Sequence, residues 1–219
     1  MSLKNSKSQT EILEISRIAL QNVENNTVIK PLMEALGYNT AKVDEGKALL
    51  ALAKNKYNAN HTLEDNKLKA YKEFEDFRLK IQTEYAKDRK KAKIIFKNEP
   101  LTLKELHLKG AQASTYVKWT EVVSIFYNLI NTDANIQAKL LPLQVTPAHV
   151  TAVLANLDTL AVLRGNYIET IGMAQNATKT KNTEFSTLDN WMSDFFGIAR
   201  IALAEEPQLL ESLGKQVRS

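Results

Sequence analysis

The chain's densest group of side chains able to bind an anion is a basic segment, Lys87–Lys97, with six cations and one acid. The cations are Lys87, Arg89, Lys90, Lys91, Lys93 and Lys97. Cations clustered on a helix can contact the phosphates of a nucleic acid or an anionic membrane. Cations near a helix C-terminus also complement its dipole, and acidic residues one turn upstream can pair with them. The six residues are therefore candidate anion or nucleic-acid contacts, with a solvated helix face as the alternative.

The remaining ionisable residues do not form a pattern typical of catalysis or metal binding. His61, His107 and His149 are scattered and belong to neither a Glu-x-x-His nor a His-x-x-x-His pair. Paired carboxylates such as Asp44-Glu45 lie on charged helix faces or in first turns, where solvation is expected. We predict no metal site.

Nucleophilic and phosphate-binding motifs are missing as well. The seven glycines are isolated, so no phosphate-binding loop is present, and no nucleophile-elbow spacing occurs. The chain has no cysteine, which excludes thiolate catalysis and cysteine-ligated centres. We predict a protein that is not an enzyme and carries no cofactor.

Composition indicates a soluble helical protein. Hydrophobic residues at 44% and charged residues at 25% are average for a globular chain of 219 residues, and few glycines or prolines interrupt it. The longest apolar stretch, Val122–Ile130, has about nine residues against the roughly 20 of a membrane span, and the start lacks a secretory signal. We expect no transmembrane segment and a cytoplasmic location.

The sequence repeats itself at an offset of about 107 positions. Leu36, Asn39, Ala41 and Val43 return as Leu143, Thr146, Ala148 and Val150. Glu99, Pro100, Leu103 and Leu106 return as Glu206, Pro207, Leu210 and Leu213. This pattern predicts an internal duplication with two tandem units, about 4–106 and 111–213. Their surfaces differ, because residues 1–107 carry 20 basic and 15 acidic side chains and residues 108–219 carry 9 and 10.

Each unit is predicted to contain two shorter helices followed by a hairpin of two long ones. Apolar residues recur every three or four positions, and Asn39 and Thr146-Pro147 are typical helix starts. The polar stretches Asn58–Asn66 and Asn176–Thr183 are predicted to be the hairpin loops. We expect the two hairpins to form an antiparallel up-and-down four-helix core, flanked by the shorter helices, in one compact all-α domain.

Two features of the predicted helices concern the interior. The aromatic residues at helical spacing are expected in the core: Trp119, Phe126, Tyr127, Trp191, Phe195 and Phe196. Gly165, Gly172 and Gly197 lie inside helices, where close helix approach or the wall of a pocket would explain them.

The sequence thus favours a non-enzymatic helical bundle that acts as a protein-interaction or structural module with an unidentified protein partner. Two alternatives remain open. One is binding of nucleic acid or an anionic surface through segment 87–97. The other is binding of a small apolar ligand within the bundle core.

Overall fold

The computed structural model describes residues 7–214, which are all-helical and contain no strand within that range. The helices are α1 (Gln9–Asn25), α2 (Ile29–Ala35), α3 (Thr40–Ile95), α4 (Pro100–Glu105), α5 (Tyr116–Thr132), α6 (Ala134–Leu140), α7 (Pro147–Ala202) and α8 (Leu209–Ser212). A single 3-10 turn, Leu141–Leu143, follows α6. The all-α prediction is confirmed. Positions 4–6 of the first predicted repeat lie outside the described residues.

The helix bounds recur at the offset seen in the sequence. Helices α1 and α5 both have 17 residues, and their first residues, Gln9 and Tyr116, are 107 positions apart. Helices α3 and α7 both have 56 residues, and Thr40 and Pro147 are separated by the same 107 positions. Descent from a duplication remains a prediction.

The predicted helix starts are confirmed by their capping bonds. The Asn39 side chain accepts a hydrogen bond from the Lys42 backbone N–H at 3.1 Å, and the Thr146 hydroxyl accepts one from the His149 N–H at 3.1 Å. Each bond satisfies a donor that has no partner within its own helix. Pro147 occupies the first helical position, where its missing N–H costs nothing.

The predicted hairpins are wrong, because α3 and α7 run without a break through both polar stretches taken as loops. The predicted antiparallel four-helix core depended on those hairpins and is therefore not confirmed. Polar residues in these stretches are accommodated within the helices: the Thr62 hydroxyl donates to the Asn58 carbonyl at 3.2 Å. Asn60 is buried and donates its amide to the Thr178 hydroxyl at 2.9 Å. Hydration and side-chain bonds, not loops, account for the polarity.

The chain divides into two compact units, each with its own core. Unit 1 comprises the described residues up to Asp65 and from Gly172 onward, so α1, α2, the start of α3 and the end of α7 belong to it together with α8. Unit 2 is Asn66–Ile171 and contains the end of α3, α4 to α6 and the start of α7. The six aromatic residues predicted as core are all buried.

No single helix in the described part of the chain combines the length and apolar character of a membrane span. Residues Ala134–Leu143 and α7 meet that criterion only as a pair, which is bent by 101°.

The helical glycines divide into two kinds. A Cβ added at Gly165, Gly172 or Gly197 would meet no atom within 4 Å, so neither close helix approach nor a pocket wall explains these three. At Gly46, by contrast, three ring atoms of Trp191 would lie 2.4, 2.6 and 2.8 Å from an added Cβ. The indole of Trp191 therefore packs directly on the α3 backbone in unit 1.

Replacing Gly46 by alanine should lower the free energy of unfolding by about 1–3 kcal/mol, because the buried Trp191 must shift to admit a methyl group. Gly197→Ala is the matched control and should raise the free energy of unfolding by about 0.5–1 kcal/mol, since alanine favours a helix. Urea denaturation of both variants measures the difference. Equal stability of the two variants would contradict the packing of Trp191 on Gly46.

Candidate functional site

The structure separates the six cations of segment 87–97. Lys87, Lys90 and Lys97 are exposed, and Lys93 is partly exposed. The buried Arg89 donates its Nη2 to the carbonyl oxygens of residues 108 and 110, at 3.1 and 3.0 Å. Lys91 pairs with Asp88 at 2.9 Å. Arg89 and Lys91 thus serve contacts within unit 2, and four lysines remain for an external anion.

Asp88, the one acid of the segment, is the centre of a buried polar network. Its Oδ2 accepts a hydrogen bond from the Tyr127 hydroxyl at 2.9 Å and lies 2.6 Å from His149 Nε2, while Oδ1 accepts from Lys91. Tyr127 is fully buried, whereas the His149 side chain is 30% exposed. We call Asp88, Lys91, Tyr127 and His149 the Asp88 network. It joins α3, α5 and the first turn of α7 within unit 2.

The Asp88 network has no counterpart at the corresponding positions of unit 1. Residues 107 positions away from Asp88 and Tyr127 are Phe195 and Leu20, and both are buried and apolar. At these two positions unit 1 has apolar side chains, whereas its buried carboxylate, Asp189, lies at a different position. Buried polar groups are stabilising only when all their partners are present. The network is therefore a specialised feature of unit 2.

Burial raises the pKa of the Tyr127 hydroxyl far above its ordinary value of 10.0, and the adjacent Asp88 carboxylate raises it further. Burial also raises the pKa of Tyr85. A tyrosine whose pKa is higher in the folded state stabilises the fold fully at pH values below its unfolded pKa. That stability is lost as the pH rises from the unfolded pKa to the folded pKa.

The protein should therefore lose stability above about pH 10. For each tyrosine that stays protonated in the fold, the free energy of unfolding should fall by about 1.4 kcal/mol between pH 9 and pH 11. Urea denaturation at several pH values measures this slope. Tyr127→Phe should be less stable at pH 8. Between pH 9 and pH 11 its free energy of unfolding should fall by about 1.4 kcal/mol less than that of the wild type, because one buried tyrosine is missing. An unchanged slope in that variant would contradict the assignment.

A second polar site in unit 2 is a cavity of about 430 Å³ between α3, α5 and α7. We call it the arginine pocket. Its lining consists of Phe74, Glu75, Arg78, Gln82, Gln112, Ala113, Ser114, Tyr116, Trp119 and Arg164. The volume is within the usual range for small-molecule sites, and six of the ten lining residues are polar or charged.

The two arginines of this pocket differ in their bonding. Arg78 donates Nε to Glu75 at 2.8 Å and Nη1 to Gln82 at 2.7 Å, and it lies over the Trp119 ring at 5.9 Å. Hydrogen bonds from Arg78 hold the pKa of Glu75 below its ordinary value, so this pair is ionised and has no net charge. Arg164 has no hydrogen bond or ion pair within the described residues. Arg164 therefore carries the positive charge that no acidic side chain of the pocket lining balances.

Arg164 is held by an aromatic ring. Its guanidinium carbon lies 3.9 Å from the centre of the Tyr116 ring, which is van der Waals contact. At that distance the guanidinium contacts the face of the ring, and its N–H groups remain available for hydrogen bonds. Phe74 packs against Tyr116 at 5.6 Å and stacks on Tyr167 at 6.1 Å. The cation is thus positioned without being neutralised.

Positions corresponding to the arginine pocket in unit 1 are aromatic or aliphatic. Arg78 and Arg164 correspond, at the offset of 107, to Phe185 and Tyr57, which contact each other at a ring distance of 6.3 Å. Trp119 corresponds to the buried Ile12. Unit 1 therefore has aromatic side chains at the two positions where unit 2 has arginines.

No protein-family model, curated protein or solved structure matches the chain. The assignment of the two sites therefore depends on their geometry. Within the described residues, no three His, Asp or Glu side chains are close enough to hold a metal ion.

Sequence reasoning missed both sites because it judged single residues by their neighbours in the chain. In the sequence, Asp88 is the one acid of a basic segment, and Arg164 belongs to no motif. The signal that identifies them is a comparison of the two halves at an offset of 107, which pairs Asp88 with Phe195 and Arg164 with Tyr57. A charged residue in one half that corresponds to an aromatic residue in the other indicates a position where the two halves have diverged.

The prediction of an apolar ligand has a different candidate location, in unit 1. A hollow of about 420 Å³ between α1 and α3 is lined by Leu13, Leu50 and Tyr57, among others, with Arg17 and Lys54 beside them. Arg17 is paired with Glu14. The accessible wall of this hollow is mainly apolar, with polar side chains such as Lys54 and Asn58 at its edge.

Proposed function

We propose that the protein is a non-enzymatic binding protein that holds a small anion in the arginine pocket of unit 2. The observation that carries the proposal is Arg164, a partly buried cation without a carboxylate partner among the described residues, fixed against Tyr116 at a cavity. A guanidinium in this state can bind a carboxylate or phosphate with two parallel hydrogen bonds. The Glu75–Arg78 pair beside it supplies rigidity and no net charge.

Thermal unfolding in the presence of small anions tests this function. At ten times its dissociation constant, a ligand specific for the folded state should stabilise the protein by about 1.4 kcal/mol. Acetate, benzoate and inorganic phosphate, each compared with chloride at equal ionic strength, cover the main classes of oxyanion.

Arg164→Gln should abolish that stabilisation. Lys90→Gln is the matched control, because it removes an equal charge from an exposed position outside the pocket. If every anion shifts wild type and Arg164→Gln equally, the pocket is not an anion site.

A second candidate function is the protein-interaction or structural module that the sequence favours. Several large aliphatic side chains are exposed in unit 2, with Ile94 at 69%, Leu101 at 67% and Val117 at 70%. Exposed apolar residues support a protein interface when they form one patch. A partner captured by the wild-type protein and lost with Leu101→Glu would support this function, and capture unaffected by that change would count against it.

A nucleic-acid or membrane contact would have to use Lys87, Lys90, Lys93 and Lys97, since Arg89 and Lys91 are engaged within unit 2. Such binding should weaken steeply with salt and with neutralisation of the four lysines. We also propose that the two halves descend from a duplication, which the equal helix lengths and common offset support.

A further inference from the structure

We propose that unit 2 binds the surface of an anionic lipid bilayer through the end of α3, where four lysines accompany an exposed isoleucine. We call Lys87, Lys90, Lys93, Ile94 and Lys97 the basic face. None of these residues lines the arginine pocket, so the bilayer contact goes beyond the proposed function and is independent of it.

The residues of the basic face lie together on the exposed side of α3. Lys87, Lys90 and Ile94 follow one another at spacings of three and four, which aligns them in one row along the helix. Lys93 is partly exposed at the edge of this row, and Lys97 is exposed in the turn directly after α3. Ile94 is 69% exposed and has a lysine one turn before it and another one turn after it.

The positive charges of the basic face are not compensated locally. None of its four lysines takes part in a hydrogen bond or ion pair with another described residue. The two acids between residues 80 and 97 lie elsewhere, because Asp88 is buried and pairs with Lys91, and Glu84 is partly buried. The four charges are therefore available to an external anion.

Arg89 extends this surface onto the segment that follows α4. The buried Arg89 donates its Nη2 to the carbonyl oxygens of Leu108 and Gly110, which places the exposed Lys109 beside α3. Lys109 lines a surface hollow together with an exposed leucine, a second lysine, an acid and a histidine: Leu101, Lys104, Glu105 and His107. The segment thus adds a cation and an exposed aliphatic side chain next to the basic face.

A bilayer uses both the charge and Ile94, whereas a nucleic acid uses the charge alone. Lysines can contact the phosphates of either partner. At a lipid headgroup layer the ammonium groups stay among the phosphates, while the lysine methylene chains and an exposed aliphatic residue reach toward the hydrocarbon. The phosphate backbone of a nucleic acid offers no apolar region to Ile94. The combination therefore favours acidic lipid.

Unit 1 provides an internal comparison. Ile201 corresponds to Ile94 at the offset of 107 and is 64% exposed. The positions that correspond to the four lysines hold one acid, one cation and two uncharged residues: Asp194, Gly197, Arg200 and Ala204. An exposed isoleucine occurs in both units, but these surrounding positions carry an excess of positive charge only in unit 2. Ile201 is for this reason the matched control for Ile94.

Flotation of the full-length protein with lipid vesicles tests the contact. Vesicles of equal parts phosphatidylglycerol and phosphatidylcholine should bind the protein, and added salt should weaken the binding. Vesicles of phosphatidylcholine alone should not bind it. Lys90→Gln should lower the partition coefficient about fivefold, as expected for one lysine at an anionic surface. Lys118→Gln, the charge-matched control, should change it little, because Lys118 lies on α5, whose Tyr127 contacts the buried side of α3.

Substitutions of Ile94 distinguish a bilayer from a nucleic acid. Ile94→Ala should weaken vesicle binding at least about threefold, because it removes apolar groups that reach the hydrocarbon. Ile201→Ala should leave the binding unchanged. The fluorescence of Ile94→Trp should shift to shorter wavelength on the anionic vesicles, since tryptophan favours the membrane interface. The native Trp119 and Trp191 are both buried and give a constant background.

Three results would overturn the bilayer contact. One is the absence of binding to the anionic vesicles at low ionic strength. Another is an equal effect of Ile94→Ala and Ile201→Ala on vesicle binding. The third is tighter binding of a single-stranded RNA than of the vesicles at the same ionic strength, unchanged by Ile94→Ala, which would identify nucleic acid as the partner. Thermal unfolding should show wild-type stability for the Ile94→Ala variant, because the side chain is exposed.

Discussion

Replacing Thr62 by proline should lower the free energy of unfolding by about 3 kcal/mol or more. Thr62 lies inside the unbroken helix α3, in the polar stretch that the sequence identifies as a loop. Proline at this position removes the backbone N–H that bonds to the carbonyl of residue 58, and its ring collides with that carbonyl. Since domains are stable by only about 5–15 kcal/mol, the change would remove a large part of the total. Urea denaturation followed by circular dichroism measures it.

Two controls isolate the helical geometry from the side chain. Thr62→Ala should be neutral or slightly stabilising, because Thr62 is exposed and alanine favours a helix. Thr40→Pro should also be tolerated, because Thr40 begins α3 as Pro147 begins α7. A cost below about 1 kcal/mol for Thr62→Pro would indicate a loop at residues 58–66, as loops usually tolerate proline.

The contrast between the predicted hairpins and the observed helices has a physical explanation. Asn and Thr have moderate helix propensities and favour turns, so a polar run of them indicates a loop when packing is unknown. In the fold, Thr62 bonds to the carbonyl four residues back, and Asn60 bonds to Thr178 across unit 1. The contact between Asn60 and Thr178 is tertiary and leaves no signal in the local sequence.

Other elements were accessible from the sequence because their causes are local. The capping residues Asn39 and Thr146, the first-turn Pro147 and the three-and-four spacing of apolar residues all act within a few positions. The offset of 107 found in the sequence also separates the first residues of α1 and α5, and those of α3 and α7. The arginine pocket was inaccessible, because Phe74, Tyr116 and Arg164 come together only when α3, α5 and α7 pack in unit 2.

Removing the Asp88 carboxylate should lower the free energy of unfolding about as much as breaking α3 does. Asp88→Ala should lower the free energy of unfolding by about 3 kcal/mol, because the fully buried Tyr127 hydroxyl would lose its acceptor and the contact with His149 would be lost. Asp88→Asn should cost less, since its amide oxygen can still accept from Tyr127. Chemical denaturation at pH 7 gives both values.

Asp76→Ala is the matched control on the same helix. Asp76 is 62% exposed and pairs with Lys72, and such surface pairs contribute at most about 1 kcal/mol. If Asp88→Ala cost no more than this control, the buried network would not be a structural element. The double variant Asp88→Leu, Tyr127→Phe should be more stable than the sum of its single changes, since it removes the buried Tyr127 hydroxyl together with its acceptor, while the partly exposed Lys91 and His149 can be hydrated.

The position of the Asp88 network connects this stability to the arginine pocket. Asp88 lies on α3 with Phe74 and Arg78, and its bond to His149 holds the first turn of α7, the helix that carries Arg164. The carboxylate therefore links the two helices that carry Arg78 and Arg164. Asp88→Asn, which should remain folded, should consequently weaken anion binding while Arg164 and Tyr116 are unchanged. Wild-type affinity in that variant would show that the pocket is shaped by apolar packing alone.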